Sequence, residues 1–260
     1  MSIVKRNQER ALKAKLGEQG KVQEQKPVSQ QQVVSVIEKQ PEHQQVDTNK
    51  ELEFYGVAID ADKAQLKKFS TIEEKDEYKA TALENTDYLD FVAQYLKSGS
   101  HYPNRVFAWV MVWLVDLGRW QQALNYLPIL VKQQQPLPTQ FNTKAWTDFF
   151  IDQLYDAGNR VLQAQQEEPN AIIKSDILKV FTALVLYIEH EKPLVNDIVL
   201  GKLYAMAAKL EFEMYNFGNA LVYSEKATQV NDKAGVKGLT KKVVAVIGSI
   251  APSKNQKEKE

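Results

Sequence analysis

The stretch that decides the fold is VFAWVMVWLVDLGRWQQALNYLPILV, Val106 to Val131. Val106, Trp109, Val110, Trp113, Leu114 and Leu117 recur at i, i+3, i+4, i+7, i+8 and i+11, the spacing of a helix with one buried face. Gly118 then breaks the period, and glycine readily takes the left-handed conformation that stops a helix. A second run, Trp120, Ala123, Leu124, Leu127 and Val131, follows at once. Two helices on so short a connection lie antiparallel and bury their faces on each other. Ala123 lets the backbones approach, while Trp109, Trp113 and Trp120 supply bulk. Pro128 removes a backbone donor and is expected to kink the second helix. The middle of the protein is thus predicted to be a helical hairpin.

The helical period recurs on both sides. Upstream, Asp60 to Phe69 reads as a helix with an apolar stripe through Ala61, Ala64, Leu66 and Phe69, with Lys63, Lys67 and Lys68 outward and Asp60 and Asp62 as capping residues. Thr71 and Glu74 form a capping box. Asp87 to Leu96 carries Tyr88, Leu89, Val92 and Tyr95, and Ser98-Gly99-Ser100 ends it. Downstream, Pro136 and Pro138 interrupt the chain, and Asn142 or Thr143 caps a helix bearing Trp146, Phe149, Phe150 and Leu154. So many aromatic residues on one helix are expected to be core, with a partner interface as the other reading. Further helices follow at Ile172 to Ile188, at Val199 to Leu210, after a turn at Phe217-Gly218, and at Val236 to Ile247. No stretch alternates with period two. The fold class is therefore all-α, with helical hairpins packed antiparallel.

Leu117 to Tyr126 is echoed by Tyr215 to Tyr223, once the glycine is shifted by one position. Tyr204, Phe217, Ala220, Tyr223 and Ala227 give this part a tetratricopeptide-like look, although the two copies are far from a regular repeat of about 34 residues. Residues 1–51 are rich in glutamine and poor in aromatic side chains, so they are expected to be a disordered, partly basic N-terminal arm. The helical domain is expected to span 52–249, and 250–260 to form a charged, frayed tail.

Composition narrows the function. The chain has 260 residues, enough for one good-sized core. Lys plus Arg equals Asp plus Glu at 33 each, so no global basic excess points to nucleic acid, although opposite charges can segregate along the chain. Cysteine is absent, which excludes disulfides and thiolate metal sites. His43, His101 and His190 are too scattered for a metal-ligand motif. No apolar run approaches the roughly 18 to 20 residues of a membrane span, and no export signal opens the chain.

Two constellations bear on chemistry. Lys5, Arg6, Arg10, Lys13 and Lys15 lie among good helix formers, and a basic helix there would neutralise phosphates; the alternative is a solubilising tail. Lys237, Lys241 and Lys242 lie on the last helix, just after Asn231-Asp232, and are compatible with phosphate binding or with a solvated face. Lys63, Lys67 and Lys68 read first as a solvated face. Asp148, Asp152 and Asp156 are the weak candidates for nuclease chemistry, which needs carboxylates converging on one or two Mg²⁺ ions. Spaced by four along one helix they do not converge, and a solvated ladder is the simpler reading. No metal site is predicted.

Phe217 to Lys237, FGNALVYSEKATQVNDKAGVK, resembles the small terminase subunit, also labelled terminase endonuclease subunit, of peduovirus-like temperate tailed phages. The resemblance rests on Gly218, Ala220-Leu221, Lys226-Ala227-Thr228-Gln229, Asp232 and Ala234-Gly235-Val236-Lys237. Val112 to Gly118, with Ala123-Leu124 after it, looks like the family's central hairpin, and the similarity runs from about Asp62 to Val243. It implies a protein of the bacterial host cytoplasm that holds viral double-stranded DNA at the cohesive-end site. It further implies action with a terminase large ATPase subunit in genome-end cleavage and packaging, and a homo-oligomer without membrane contact. Relatives can end in a long Lys- and Arg-rich extension, whereas this chain stops at Lys254 to Glu260 with mixed charge. No cofactor is expected, and Mg²⁺ enters only if the nuclease label applies to this chain. The other readings are a helical-repeat adaptor that binds protein without DNA contact, and a chain that is itself the nuclease.

Overall fold

The structure, a computed structural model, describes residues 42–143, 145–167 and 175–250. Ten α-helices run through them, and no described residue lies in a strand. They are α1 (Glu42–Leu66), α2 (Ile72–Asn85), α3 (Tyr88–Lys97), α4 (Arg105–Asp116), α5 (Trp120–Lys132), α6 (Trp146–Glu167), α7 (Ser175–Glu191), α8 (Asp197–Glu213), α9 (Phe217–Val230) and α10 (Lys237–Ile250). Among the described residues no helix is long and apolar enough to cross a membrane.

The expected central hairpin is α4 and α5. Asn104 caps α4, its side chain accepting from the Val106 and Phe107 amides at 3.1 and 3.0 Å. Nine consecutive or nearly consecutive residues of α4, from Val106 to Val115, are buried, Trp109 being the exception. A one-faced helix was expected; α4 is instead enclosed on all sides, because VFAWVMVWLV has no polar side to turn to water. Trp109, expected inside, is half-buried, with the Lys63 ammonium 4.3 Å from its ring centroid. In α5, Ala123, Leu124, Leu127 and Leu130 face the core, and the helix continues through Pro128 to Lys132.

The first helix starts at Glu42, so the boundary expected at Leu52 falls inside it. Asp60 and Asp62 consequently sit within a helix and cap nothing. Asp62 accepts the phenol hydrogens of Tyr78 and Tyr88 at 2.7 and 2.6 Å, which satisfies a carboxylate turned toward the core. Burial first, and then Asp62, pushes the Tyr78 phenol up to about 12 and the Tyr88 phenol well above its ordinary value. Asp60 pairs with Arg105 at 2.8 Å and Lys63 at 3.2 Å. The inward side of α1 is Leu52, Tyr55, Gly56, Ile59 and Leu66. Ala61 and Ala64, expected on the inner stripe, face solvent.

The capping box that opens α2 forms as expected, Glu74 accepting from the Thr71 and Ser70 amides at 3.1 and 3.0 Å. A polar clamp that no periodicity reveals joins α3, α4, α5 and α6. Buried Gln135 donates to the Tyr95 hydroxyl at 2.8 Å and the Tyr102 carbonyl at 2.9 Å, and it accepts from the Asn104 amide at 2.7 Å. The Trp146 indole donates to the Gln135 carbonyl at 2.7 Å. Each buried polar atom in this clamp that pairs avoids a cost of about 1–3 kcal/mol.

The α8–α9 pair packs most extensively; Ala205, Ala207 and Ala208 of α8 and Ala220 and Ala227 of α9 are buried, and a Cβ at Gly201 of α8 would lie 2.8 Å from Asn231 Cβ at the end of α9, so small residues let the backbones close up. Its turn is the same as the α4–α5 turn. Arg119 and Asn216 each donate to a carbonyl five residues back, Leu114 and Glu211, both at 2.8 Å, and Gly118 and Tyr215 between them have φ of +66° and +61°. This sets Gly118 opposite Tyr215, Trp120 opposite Phe217, Ala123 opposite Ala220 and Tyr126 opposite Tyr223, with no shift. The expected shift of the glycine is therefore an error, caused by matching Gly118 to Gly218. Phe217 and Gly218, expected to be the turn, are the first residues of α9.

Candidate nucleic-acid interface

The last helix is set by the chain just before it. Asn231 ends α9, and its side chain accepts from the Lys233 amide at 3.0 Å. Gly235 then takes φ +78°, a conformation that other residues adopt at a cost. Val236 and Val243 are buried and pin one side of α10 against the body. That leaves Lys237, Lys241 and Lys242 exposed, with exposed Lys233 close before them in the chain. Asp232 is the single acidic residue between 231 and 250, against four lysines. None of the four has a carboxylate within ion-pair distance among the described residues. The first turn of α10 also lacks an acidic residue, so the positive end of its peptide dipoles adds to the lysine charge.

The other candidates fare differently. Lys5, Arg6, Arg10, Lys13 and Lys15 lie outside the described residues. Lys63 is tied to Asp60 and Trp109, Lys68 to Gln65 at 2.9 Å, and Lys67 is exposed. Of the carboxylates on α6, Asp148 accepts from the Asn196 amide at 3.0 Å and Asp152 from the Lys202 ammonium at 2.8 Å. Both join α6 to the start of α8, and Asp156 is exposed. The hydrogen bond to Asp152 is the main cause that holds the Lys202 ammonium above its ordinary pKa. The ladder expected to be solvated is thus, in two of its three rungs, a helix–helix fastening. Among the described residues no group of three or more His, Asp or Glu side chains is placed to hold a metal ion. Trp146, Phe149 and Phe150 are all core.

Sequence reading missed a groove of about 770 Å³ at the α4–α5 turn, lined by Trp120, Ala157, Val161, Ile177 and Val180, with Arg119, Arg160 and Lys179 among its lining residues. Arg119 reaches Glu84 at 3.2 Å and Lys179 reaches Asp176 at 3.1 Å, both near the surface. Its residues come from three separate helices, and no local pattern announces that.

A family model described as phage small terminase subunit matches residues 57–185, from the second half of α1 into α7. The chain is also 26% identical over 213 residues to a "Probable terminase, endonuclease subunit" of Haemophilus phage HP1, covering 76% of this chain and 70% of that protein. No solved structure matches the chain. The Phe217 to Lys237 stretch lies beyond the residues that the family model matches, which instead centre on the α4–α5 hairpin. On the match across that enclosed hairpin, the chain belongs to the phage small terminase subunit family, with a role in packaging the viral genome.

Proposed function

We propose that this chain grips viral double-stranded DNA at the cohesive-end site and presents it to the terminase large ATPase subunit for genome-end cleavage and packaging. It acts as a homo-oligomer in the bacterial host cytoplasm, through a helical domain at 52–249. The observation that supports DNA contact most directly is the unneutralised cluster Lys233, Lys237, Lys241 and Lys242 on and before α10. Lysines of this kind position a duplex through its phosphates and carry no sequence information themselves. Lys5, Arg6, Arg10, Lys13 and Lys15 supply further phosphate contacts at the other end of the chain. The test is retention of a cohesive-end duplex across a salt series. Each phosphate contact contributes about 0.9 to the slope of log affinity against log salt. A flat profile would move the reading to the protein-binding adaptor, for which the groove beside Trp120 is the candidate surface.

The Haemophilus phage relative's name, an endonuclease subunit, favours a second reading, in which this chain performs the cut itself. Asp148, Asp152 and Asp156 are then its carboxylates and Mg²⁺ its metal. Purified chain and chain plus large subunit, each with Mg²⁺ and cohesive-end DNA, separate the two. Nicking by the chain alone, lost in Asp148→Asn/Asp152→Asn of unchanged helicity, supports the nuclease; cleavage only with both subunits supports the gripping role.

A further inference from the structure

The first helix is apolar on two opposite sides. One side, with Tyr55, Gly56 and Ile59, enters the core. On the other, Phe54 and Val57 are 66% and 61% exposed, and Ala61 and Ala64 are exposed with them. These four residues recur at i, i+3, i+7 and i+10, the seam spacing of paired helices. A hollow of about 430 Å³ lined by Lys50, Glu53, Phe54, Val57 and Ala58 lies along it. Single exposed apolar residues are ordinary, but a seam of four in register on one helix is a contact surface awaiting a partner.

We infer that this seam pairs with the same seam of a second copy, with the two α1 helices antiparallel about a two-fold axis at the level of Ile59. The inference names the interface of the homo-oligomer proposed above and rests on that reading, but on nothing about DNA. Residue sizes and charges choose the arrangement. Antiparallel pairing sets Phe54 over the partner's Ala64 and Val57 over the partner's Ala61, large against small at every step. Parallel pairing would set Phe54 on Phe54 and Ala61 on Ala61, leaving a gap at one end. In the antiparallel register Glu53 lies beside the partner's Lys67, twice per dimer by symmetry. Both side chains lack an ion-pair partner among the described residues of their own chain. Asp60, nearest the axis, would meet its own copy, but it arrives already paired with Arg105 and Lys63. Lys50 occupies the seam position before Phe54, and α1 ends at Leu66 with Lys67 and Lys68 in the turn just past it, which confines the apolar contact to these four residues.

The chain has no cysteine, so introduced thiols report the arrangement cleanly. Sedimentation equilibrium on the full chain is expected to show concentration-dependent association. Val57→Asp, at an exposed position, is expected to weaken it about tenfold or more, since two valines leave the contact. Glu53→Lys and Lys67→Glu should each weaken it, and the double swap should restore it. Under oxidation Val57→Cys/Ala61→Cys should give a covalent dimer, and Val57→Cys alone should not. An oligomer unaffected by Val57→Asp and by the charge swaps overturns the seam and leaves the homo-oligomer intact. Efficient cross-linking by Val57→Cys alone overturns the antiparallel register. A wild-type chain monomeric at every concentration removes the homo-oligomer and the seam together.

Discussion

The α4–α5 and α8–α9 hairpins share one turn geometry and one register, yet they are built for different places in the molecule. Around α4 every side is covered, and Trp113 is the largest of its fully buried side chains. In α9 only Ala220, Ser224 and Ala227 are buried, and the rest of the helix is half-buried or exposed, with part of it covered by α10. Bulk makes the first hairpin a hub on which α2, α3, α6 and α7 lean. Small residues make the second a tightly closed pair at the end of the described chain, with α10 and its lysines attached. The difference teaches that a shared motif fixes the turn, and the size of the facing side chains decides whether a hairpin becomes core or platform.

The most damaging substitution should fall in the hub. Trp113→Ala is expected to cost about 3–5 kcal/mol, read as a lowered denaturant midpoint, because an enclosed cavity there cannot collapse. A loss below 1 kcal/mol would mean that α4 is not enclosed as described. In the second hairpin the opposite error should hurt. Ala227→Leu is expected to cost about 1–3 kcal/mol by overpacking the close α8–α9 approach, whereas Val222→Leu on the exposed side should be neutral within about 0.5 kcal/mol.

Alkaline stability sharpens the same comparison. Burial, followed by hydrogen bonds to Asp62 and Glu189, holds the Tyr88 and Tyr204 phenols above their ordinary value of 10.0. A group whose folded pKa is raised contributes fully below its unfolded pKa, and that contribution is lost as pH rises toward the folded one. Stability is therefore expected to be flat below about pH 10 and to fall above it. Tyr88→Phe and Tyr204→Phe should each flatten the fall, measured as the denaturant midpoint between pH 8 and pH 11.

The smallest effects are expected at the shared turn, with opposite sign. Tyr215 is 80% exposed and holds φ +61°, so Tyr215→Gly should gain about 0.5–1 kcal/mol, while Gly118→Ala should lose about 1 kcal/mol. Thermal melts of the two variants check both signs, and equal signs would show that the turns are not equivalent.

The residues that spoke plainly in the sequence were those with local consequences. Gly118, the Thr71–Glu74 box and the periodic aromatic runs each act within a turn or two of chain, and the all-α fold followed from them. What stayed hidden depends on partners far along the chain. Asp62 looked like a cap because nothing local announces Tyr78 and Tyr88, and Asp148 and Asp152 looked solvated because their partners lie on α8. The face of α1 was misassigned for a related reason: with apolar residues on both sides, periodicity alone does not say which side the core takes. Lys237, Lys241 and Lys242 were legible as an exposed basic helix, but only the buried Val236 and Val243 fix which way it faces.

The division between a hub that builds and a platform that grips is tested most directly by cohesive-end DNA affinity across a salt series, for wild type and Lys237→Ala/Lys241→Ala/Lys242→Ala. At unchanged helicity and melting temperature, the triple variant is expected to lower the slope of log affinity against log salt by up to about 2.7, roughly 0.9 per lost phosphate contact. An unchanged slope in the triple variant, with wild type still binding DNA, would contradict the assignment of the grip to α10.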